Sequence, residues 1–391
     1  MDNQEKKYFQ NLCVNSQYKR VSRQRTCLIC GKPDWCSYTP DGKISFCARV
    51  IQNADRVSRT GWGVFYHEKS LFGEAPLPFP AKPPPQKPEL APIEIRDFAY
   101  RKLIELAPAT NAKEIINGQK GLRSRKILNF EDFGSLPPTQ SERSELAKLI
   151  RSLLNREFPD YVRKFKSSLS GVPGFWIDEN GKSQLWLEKD YSFPLMLIPY
   201  RNSEGLIQAC QIRFMGQSGG NELRYFWLST PKKSGGVSCG CPLHFVRPFT
   251  KSASFIKPIL VTEGALKAET VQIYNSQFNL VAIGGISSSH SELIKAVRYF
   301  PLITAFDNDF SQNPQVLRQL IRFFRARLTD ANNYNYSPNL NILTWSSKFK
   351  GIDEALIHNQ IINQVSFSQW LNLLNEPLKN EVLEQMWYSA N

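Results

Sequence analysis

No stretch of the 391 residues approaches about eighteen consecutive apolar side chains, so no segment reads as a membrane-spanning helix. The opening Met1-Asp-Asn-Gln-Glu-Lys-Lys7 lacks the apolar run of a secretory leader, which sets the expectation of a soluble cytoplasmic protein. There is no internal repeat, and therefore no solenoid or array. A Gly-x4-Gly-Lys-Ser/Thr phosphate loop is also missing: Gly181-Lys-Ser183 has Trp176 where the first glycine belongs, so no fused helicase motor is expected. Acidic residues are the scarcer charge, 35 against 49 Lys plus Arg, and the resulting net charge of +14 suits a polyanion better than a neutral ligand. An anionic membrane surface or a merely solvated basic face would give the same sum. Apolar residues at 41% and aromatics at 12% exclude a disordered chain, and the length predicts two or three compact units.

The charge is unevenly placed. Residues 1–70 carry +6, 71–142 carry +1, 143–257 carry +8, 258–357 carry +1 and 358–391 carry −2. A polyanion would thus be held by segments before residue 258 and presented to whatever acidic centre follows.

Four of the eight cysteines have metal-ligand spacing. Cys27-Leu-Ile-Cys30-Gly-Lys offers two thiolates two residues apart, and Cys36 and Cys47 flank the turn Thr39-Pro-Asp-Gly42. A hairpin there would bring all four together as a structural zinc ribbon; a pair of disulfides is the alternative. Cys13, Cys210, Cys239 and Cys241 read as ordinary thiols, with Cys239, Cys241 and His244 a weaker second metal set. Lys19, Arg20, Arg23, Arg25 and Lys32 surround the ribbon with Trp35, Tyr38 and Phe46 among them. Cations beside exposed rings suit a single strand, whereas rings turned inward would be the ribbon's small core; Phe46 fits the core role better, and Trp35 fits either.

Eight of the seventeen residues from Pro76 to Pro92 are proline, which reads as an extended linker. Residues 93–157 read as mainly helical. Between 171 and 257 short strands are expected at Phe193–Tyr200, Leu206–Phe214 and Arg224–Leu228. Alternation would put Leu206, Gln208, Cys210 and Ile212 on one face and Ile207, Ala209, Gln211 and Arg213 on the other. Arg213, Arg224, Lys232 and Lys233 are candidates for phosphate contact or for plain solvated charge.

After Pro258 the pattern changes to strands at 258–262, 279–283, 302–306 and 340–344, alternating with helices at 265–274, 290–299 and 314–328. That alternation predicts a mainly parallel sheet with helices on its faces and a ligand site at the carboxyl ends of its strands. Glu263, Gly284-Gly285 and Asp307-Asn-Asp309 each follow a strand directly. Carboxylates converging there would repel unless a hard divalent cation such as Mg²⁺ lay among them, while each acid alone could equally cap the next helix.

Glu263-Gly264 and, 44 positions on, Asp307-Asn-Asp309 resemble the Toprim domain of bacterial primases, topoisomerases and some nucleases. Val261-Thr-Glu-Gly-Ala-Leu-Lys-Ala268 with Gly351-Ile-Asp-Glu-Ala-Leu356 is most similar to the Toprim-like domain in primases of phages, plasmids and other mobile elements. The Cys27–Cys36 knuckle looks like the zinc modules at the front of such proteins. Ile198-Pro-Tyr-Arg-Asn-Ser-Glu-Gly205, Gln211-Ile-Arg213 and Arg224-Tyr225 resemble the basic subdomain that precedes Toprim in the replicative primase. Two departures stand out: Lys267 occupies the place of a second carboxylate, and Asp353-Glu354 replaces an acidic pair separated by one residue.

The resemblance implies a multi-domain α/β protein. It would comprise a zinc-ribbon module (1–70), a Pro-rich linker (71–92), a helical and basic β-rich subdomain (93–257), a Rossmann-type Toprim-like catalytic domain (258–357) and a helical tail (358–391). The implied activity is a DNA primase making short primers on single-stranded DNA from nucleoside triphosphates, alongside a separate replicative helicase. Glu263, Asp307 and Asp309 would be catalytic and would hold Mg²⁺ or Mn²⁺, with Asp353 a further ligand candidate. Arg213, Arg224, Tyr225 and Lys267 would contact template or nucleotide, and Cys27, Cys30, Cys36 and Cys47 would hold zinc. The alternatives are a Toprim-type nuclease and a non-catalytic single-strand-binding initiation protein.

Overall fold

The computed structural model describes residues 18–58, 62–67, 89–164, 169–216, 225–248, 257–311 and 313–387. Most of the proline-rich segment, Cys13 and Arg224 lie outside them. The chain divides into two compact units, residues 1–86 and 87–391, and is a mixed α/β protein with several separate sheets.

The first unit is a small antiparallel sheet in the order β1-β2-β3-β5-β4. Its strands are β1 (Lys19–Arg20), β2 (Ser37–Tyr38), β3 (Ile44–Cys47), β4 (Arg56–Val57) and β5 (Gly63–Tyr66). The expected hairpin joins β2 to β3, closed by Thr39 and Ile44 bonding through backbone and side chain. Its largest buried cluster is Cys27, Cys36, Cys47 and Phe65 with Val21, Ile29, Val50 and Ala54 around them, and Tyr38, Ile44 and Val64 are buried besides. So small an apolar set calls for a metal to complete it.

The second unit opens with α1 (Ile93–Leu106), the short α2 (Lys113–Asn117), strand β6 (Gly134–Leu136), α3 (Gln140–Glu157) and α4 (Pro159–Lys164). Thr139 caps α3, accepting a bond from the Glu142 backbone N–H. The hairpin β7 (Phe175–Ile177) and β8 (Ser183–Leu185) follows, then β9 (Leu195–Arg201), β10 (Ile207–Phe214) and β11 (Tyr225–Trp227), which with β6 form a sheet in the order β11-β10-β9-β6. A register shift between Ile207 and Ala209 corrects the expected alternation: Ile207 packs in the same apolar cluster as Cys210 and Ile212, and Ala209 in another. An inserted residue in a bulge moves side chains to the opposite face.

The remaining strands are β12 (His244–Phe245), β13 (Ile259–Glu263), β14 (Asn279–Ile283), β15 (Leu302–Ala305), β16 (Leu340–Thr344) and β17 (Asn363–Ser366). They form one sheet, β12-β14-β13-β15-β16-β17, parallel through its four middle strands and antiparallel at both edges. Helices α5 (Ala265–Tyr274), α6 (His290–Ala296), α7 (Pro314–Asn333), α8 (Ile352–Ile357), α9 (Phe367–Leu373) and α10 (Glu376–Trp387) cover it. Period-two alternation divides the strands between the two faces. Val261, Val281 and Leu302 pack with Leu293, Phe324 and Trp370, while Leu260, Ala282 and Ile303 pack with Val271, Ile352 and Ala355.

The sheet takes its edge strands from outside residues 258–357, because unpaired backbone at a sheet edge is satisfied by whatever segment reaches it. The tail is accordingly not all helix: it begins with β17, and Trp370 and Val382 enter the core.

Candidate active site and metal centre

The four cysteines are brought together as the spacing predicted. Their Sγ atoms all lie within 4.8 Å of one another, with Cys30 and Cys36 at 3.6 Å and Cys36 and Cys47 at 3.8 Å. Four thiolates on a zinc ion with bonds of about 2.3 Å would stand about 3.8 Å apart, so the geometry fits tetrahedral zinc, and none of the four is in a disulfide. Backbone N–H groups of Ala48 and Val50 point at Cys36 and Cys47, as thiolate ligands require. Burial pushes the Cys36 thiol up to about 12, while Cys30, despite some burial, is drawn down to about 7 by the Lys32 backbone N–H and its neighbouring thiols. A metal ion removes that conflict by holding all four deprotonated. The second set does not assemble: Cys239 bonds to the Gly240 carbonyl, and His244 accepts from the Arg201 backbone N–H and donates to Glu269.

On the ribbon, Trp35 is 69% exposed and stands outside the small core. Its backbone is left-handed, φ 65°, an uncommon conformation for so bulky a residue. Phe46 is half-buried, edge-on to Tyr18. Arg25 lies over the Tyr38 ring and donates to its hydroxyl.

In the large sheet, β13 has β14 on one side and β15 on the other, so the helices leave its carboxyl edge to opposite faces. A crevice opens at such a switch point. Glu263 ends β13, and Asp307 and Asp309 follow β15, the last within a 3₁₀ turn (Asn308–Ser311). Gly264 takes φ 80°, which turns the chain from strand into α5 directly after Glu263. Burial and then the Asp307 charge push the Glu263 carboxyl up to about 7.

Two lysines stand among these acids. Lys267, one turn into α5, forms an ion pair with Asp307 Oδ1; its side chain is only 14% exposed, which corrects the alternative of a solvated helix face. Burial disfavours its ammonium, but Asp307 and Asp353 more than compensate and raise its pKa. Lys350 reaches Asp309 Oδ2 at 2.7 Å and Asp307 Oδ2 at 3.7 Å, and is carried there by the loop whose Lys350 carbonyl accepts from Asn308 N–H at 2.9 Å. Nothing in the spacing marked Lys350; the signal was only its place after the next strand. Asp353 is engaged by Arg125 at 2.6 Å.

Among the described residues the cysteines are the group of His, Cys, Asp and Glu side chains gathered closely enough for a metal. The acidic set has the hard-oxygen chemistry a divalent cation takes; Glu263 is raised first by burial and second by the Asp307 and Asp309 charges, and a cation would relieve that repulsion. As it stands, lysine ammonium groups answer that repulsion.

The basic strand pair differs from expectation. Arg213 is 3% exposed, donates to the Lys120 carbonyl and lies under the Tyr225 ring, so it supports Tyr225 rather than meeting solvent; Tyr225 is 39% exposed. Lys233 pairs with Glu188 and covers Trp176, while Lys232 is exposed.

No protein-family model matches the chain, and no curated protein matches it. Solved structures do. The zinc-binding and RNA polymerase domains of the Aquifex aeolicus primase are 12% identical, over 76% of this chain and 68% of that one, with a TM-score of 0.44. The RNA polymerase domain of Mycobacterium tuberculosis primase DnaG is 13% identical over 76% and 98%, with a TM-score of 0.46. A DNA primase domain from Pseudomonas aeruginosa is 16% identical over 76% and 91%, with a TM-score of 0.43. Likeness at this level leaves the reading of the chain to its own residues.

Proposed function

We propose that the chain is a DNA primase that makes short primers on single-stranded DNA by nucleotidyl transfer, of the Toprim-bearing kind found in plasmids, phages and other mobile elements. What supports the reading is that Glu263, Asp307 and Asp309 end or follow adjacent strands at the switch point of a parallel sheet, near enough for both aspartates to act on Glu263, in a chain that also holds a four-cysteine module. Mg²⁺ or Mn²⁺ would be held by Glu263, Asp307 and Asp309 and would neutralise charge on the bound triphosphate. Glu263 would serve in one of two ways, as a ligand of that ion or as the acceptor of the primer 3′-hydroxyl proton. Lys350, the exposed cation, meets the polyphosphate, and Tyr225, packed on the buried Arg213, holds template or nucleotide together with Arg224, which lies outside the described residues. The ribbon retains the template strand, its Trp35 ring stacking on a base. Nucleoside triphosphates, single-stranded DNA and a separate replicative helicase are the partners.

One observation favours a second reading. Lysines already neutralise Asp307 and Asp309, which suits a non-catalytic single-strand-binding replication protein. Synthesis from labelled nucleotides on single-stranded DNA with Mg²⁺ decides, comparing the native chain with Asp307→Asn plus Asp309→Asn. Short products lost in the double variant support the primase. No products with strand binding intact in both support the binding protein, and template degraded by the native chain alone indicates a nuclease.

A further inference from the structure

The two ammonium groups in the acidic site are held in different ways. Lys267 rises from the first turn of α5 into a buried position, with its Nζ on Asp307 Oδ1. Gly351 leaves room for it: a Cβ at that position would stand 3.2 Å from Nζ and 2.4 Å from Asp353 Oδ1. Lys350 reaches the other Asp307 oxygen, Oδ2, at 3.7 Å and Asp309 Oδ2 at 2.7 Å, but its side chain is 60% exposed. The two oxygens of Asp307 are therefore divided between a buried cation and an exposed one.

The cost of release differs accordingly. Withdrawing Lys267 would leave buried Asp307 with only the exposed Lys350 at 3.7 Å and would leave a buried ammonium unpaired from it, which is strongly unfavourable. Withdrawing Lys350 returns a flexible ammonium to water and frees one carboxylate oxygen each of Asp307 and Asp309, two residues apart after β15, a weakly opposed change. Oxygens of that kind are what a hard divalent cation binds.

We propose that Lys267 is a permanent, tethered cation of this site and Lys350 a displaceable one. A divalent cation then enters only where the Lys350 ammonium lies, against Asp309 and Asp307 Oδ2, and the site takes one such ion instead of two. The inference rests on the proposed reading of this cluster as the cation-dependent centre of the protein. Its test reads cation binding alone, so a failure of primer synthesis and a failure of this inference are seen separately.

The experiment is a Mn²⁺ titration of the full zinc-loaded chain, following the paramagnetic resonance signal of free Mn²⁺, with Asp307→Asn plus Asp309→Asn as the background. The native chain is expected to bind one Mn²⁺ above that background. Lys350→Met is expected to bind one about tenfold more tightly, the effect of removing one competing charge at contact distance from a partly exposed site. Lys267→Met is expected to bind two. Two ions on the native chain, or no gain in affinity with Lys350→Met, would overturn the proposal. Should Lys267→Met fail to fold by circular dichroism, the native stoichiometry and the surface variant Lys350→Met still decide it.

Discussion

The Arg125 guanidinium donates to Asp353 Oδ2 at 2.6 Å, joining residues 228 positions apart in one ion pair with little access to water. Asp353 lies in the first turn of α8, beside Gly351 and within the field of Lys267, so Arg125 sets the charge at the back of the acidic site from a segment far away in the chain. Breaking such a pair from one side leaves an uncompensated charge. Arg125→Leu is expected to cost about 3 kcal/mol, read from urea denaturation, and the double variant Arg125→Leu, Asp353→Leu should recover at least half of it. Equal stabilities for all three chains would show the pair to be incidental.

Glu263 gives a stability dependence on pH with a definite sign. Its carboxyl is raised from 4.5 to about 7 in the folded protein, so between those values the folded state binds the proton that the unfolded state has lost. Unfolding then releases protons, and this contribution to stability declines as pH rises from about 4.5 to about 7. Glu263→Gln removes the ionisation and should stabilise the chain at pH 8 by at most about 3 kcal/mol, with little effect at pH 4.5. Melting temperatures across that range check it; a variant less stable at pH 8 than the native chain would be the wrong sign.

Trp35 separates binding from folding. Its exposed ring has little packing to lose, and its left-handed backbone is one that glycine adopts without strain. Trp35→Gly should leave zinc content and melting temperature at or above native, while weakening single-stranded DNA binding about fivefold, the loss of one stacked base. Fluorescence anisotropy with a labelled oligonucleotide measures it, and unchanged affinity would remove Trp35 from the template surface.

The ribbon should carry one zinc ion per chain. With so few buried apolar side chains beside its cysteines, the module should draw most of its stability from the metal. Cys36→Ser is expected to lose the ion, measured by a chromophoric zinc assay, and to open the module to proteolysis while residues 87–391 keep their melting transition. A Cys36→Ser chain with full zinc occupancy would contradict the tetrahedral set.

Gly351→Ala tests the packing behind the acids. The added Cβ would stand 2.4 Å from Asp353 Oδ1 and about as close to Lys267 as contact allows, with Nζ at 3.2 Å. Displacing these charges should cost about 1–2 kcal/mol and lower primer synthesis more than strand binding. Synthesis at the native rate would show that the arrangement of Lys267 and Asp353 does not bear on the chemistry.

Much of the large sheet was legible because strand and helix periodicities are local properties. Helix 265–274 and strands 279–283 and 340–344 fall where the pattern put them, and the zinc hairpin follows from ligand spacing and a turn. Helix 290–299 stops at Ala296, and helix 314–328 runs on to Asn333, since ends depend on what the last turn packs against. The alternation expected for 206–213 failed at a bulge, which has no reliable signature in residue pattern.

What the amino-acid order determined by itself is therefore the four parallel strands with the helices between them, the cysteine quartet and the carboxylates standing at strand ends. Tertiary structure alone decided their electrostatic state. It placed Lys267 and Lys350 against Asp307 and Asp309, carried Arg125 to Asp353, turned Arg213 inward beneath Tyr225 and recruited β12 and β17 to the sheet edges. Periodicity reports which face of its own element a side chain occupies. Charge pairing depends on distances between elements, and those exist only once the sheet order β14-β13-β15-β16 has brought the loops of distant strands to one edge.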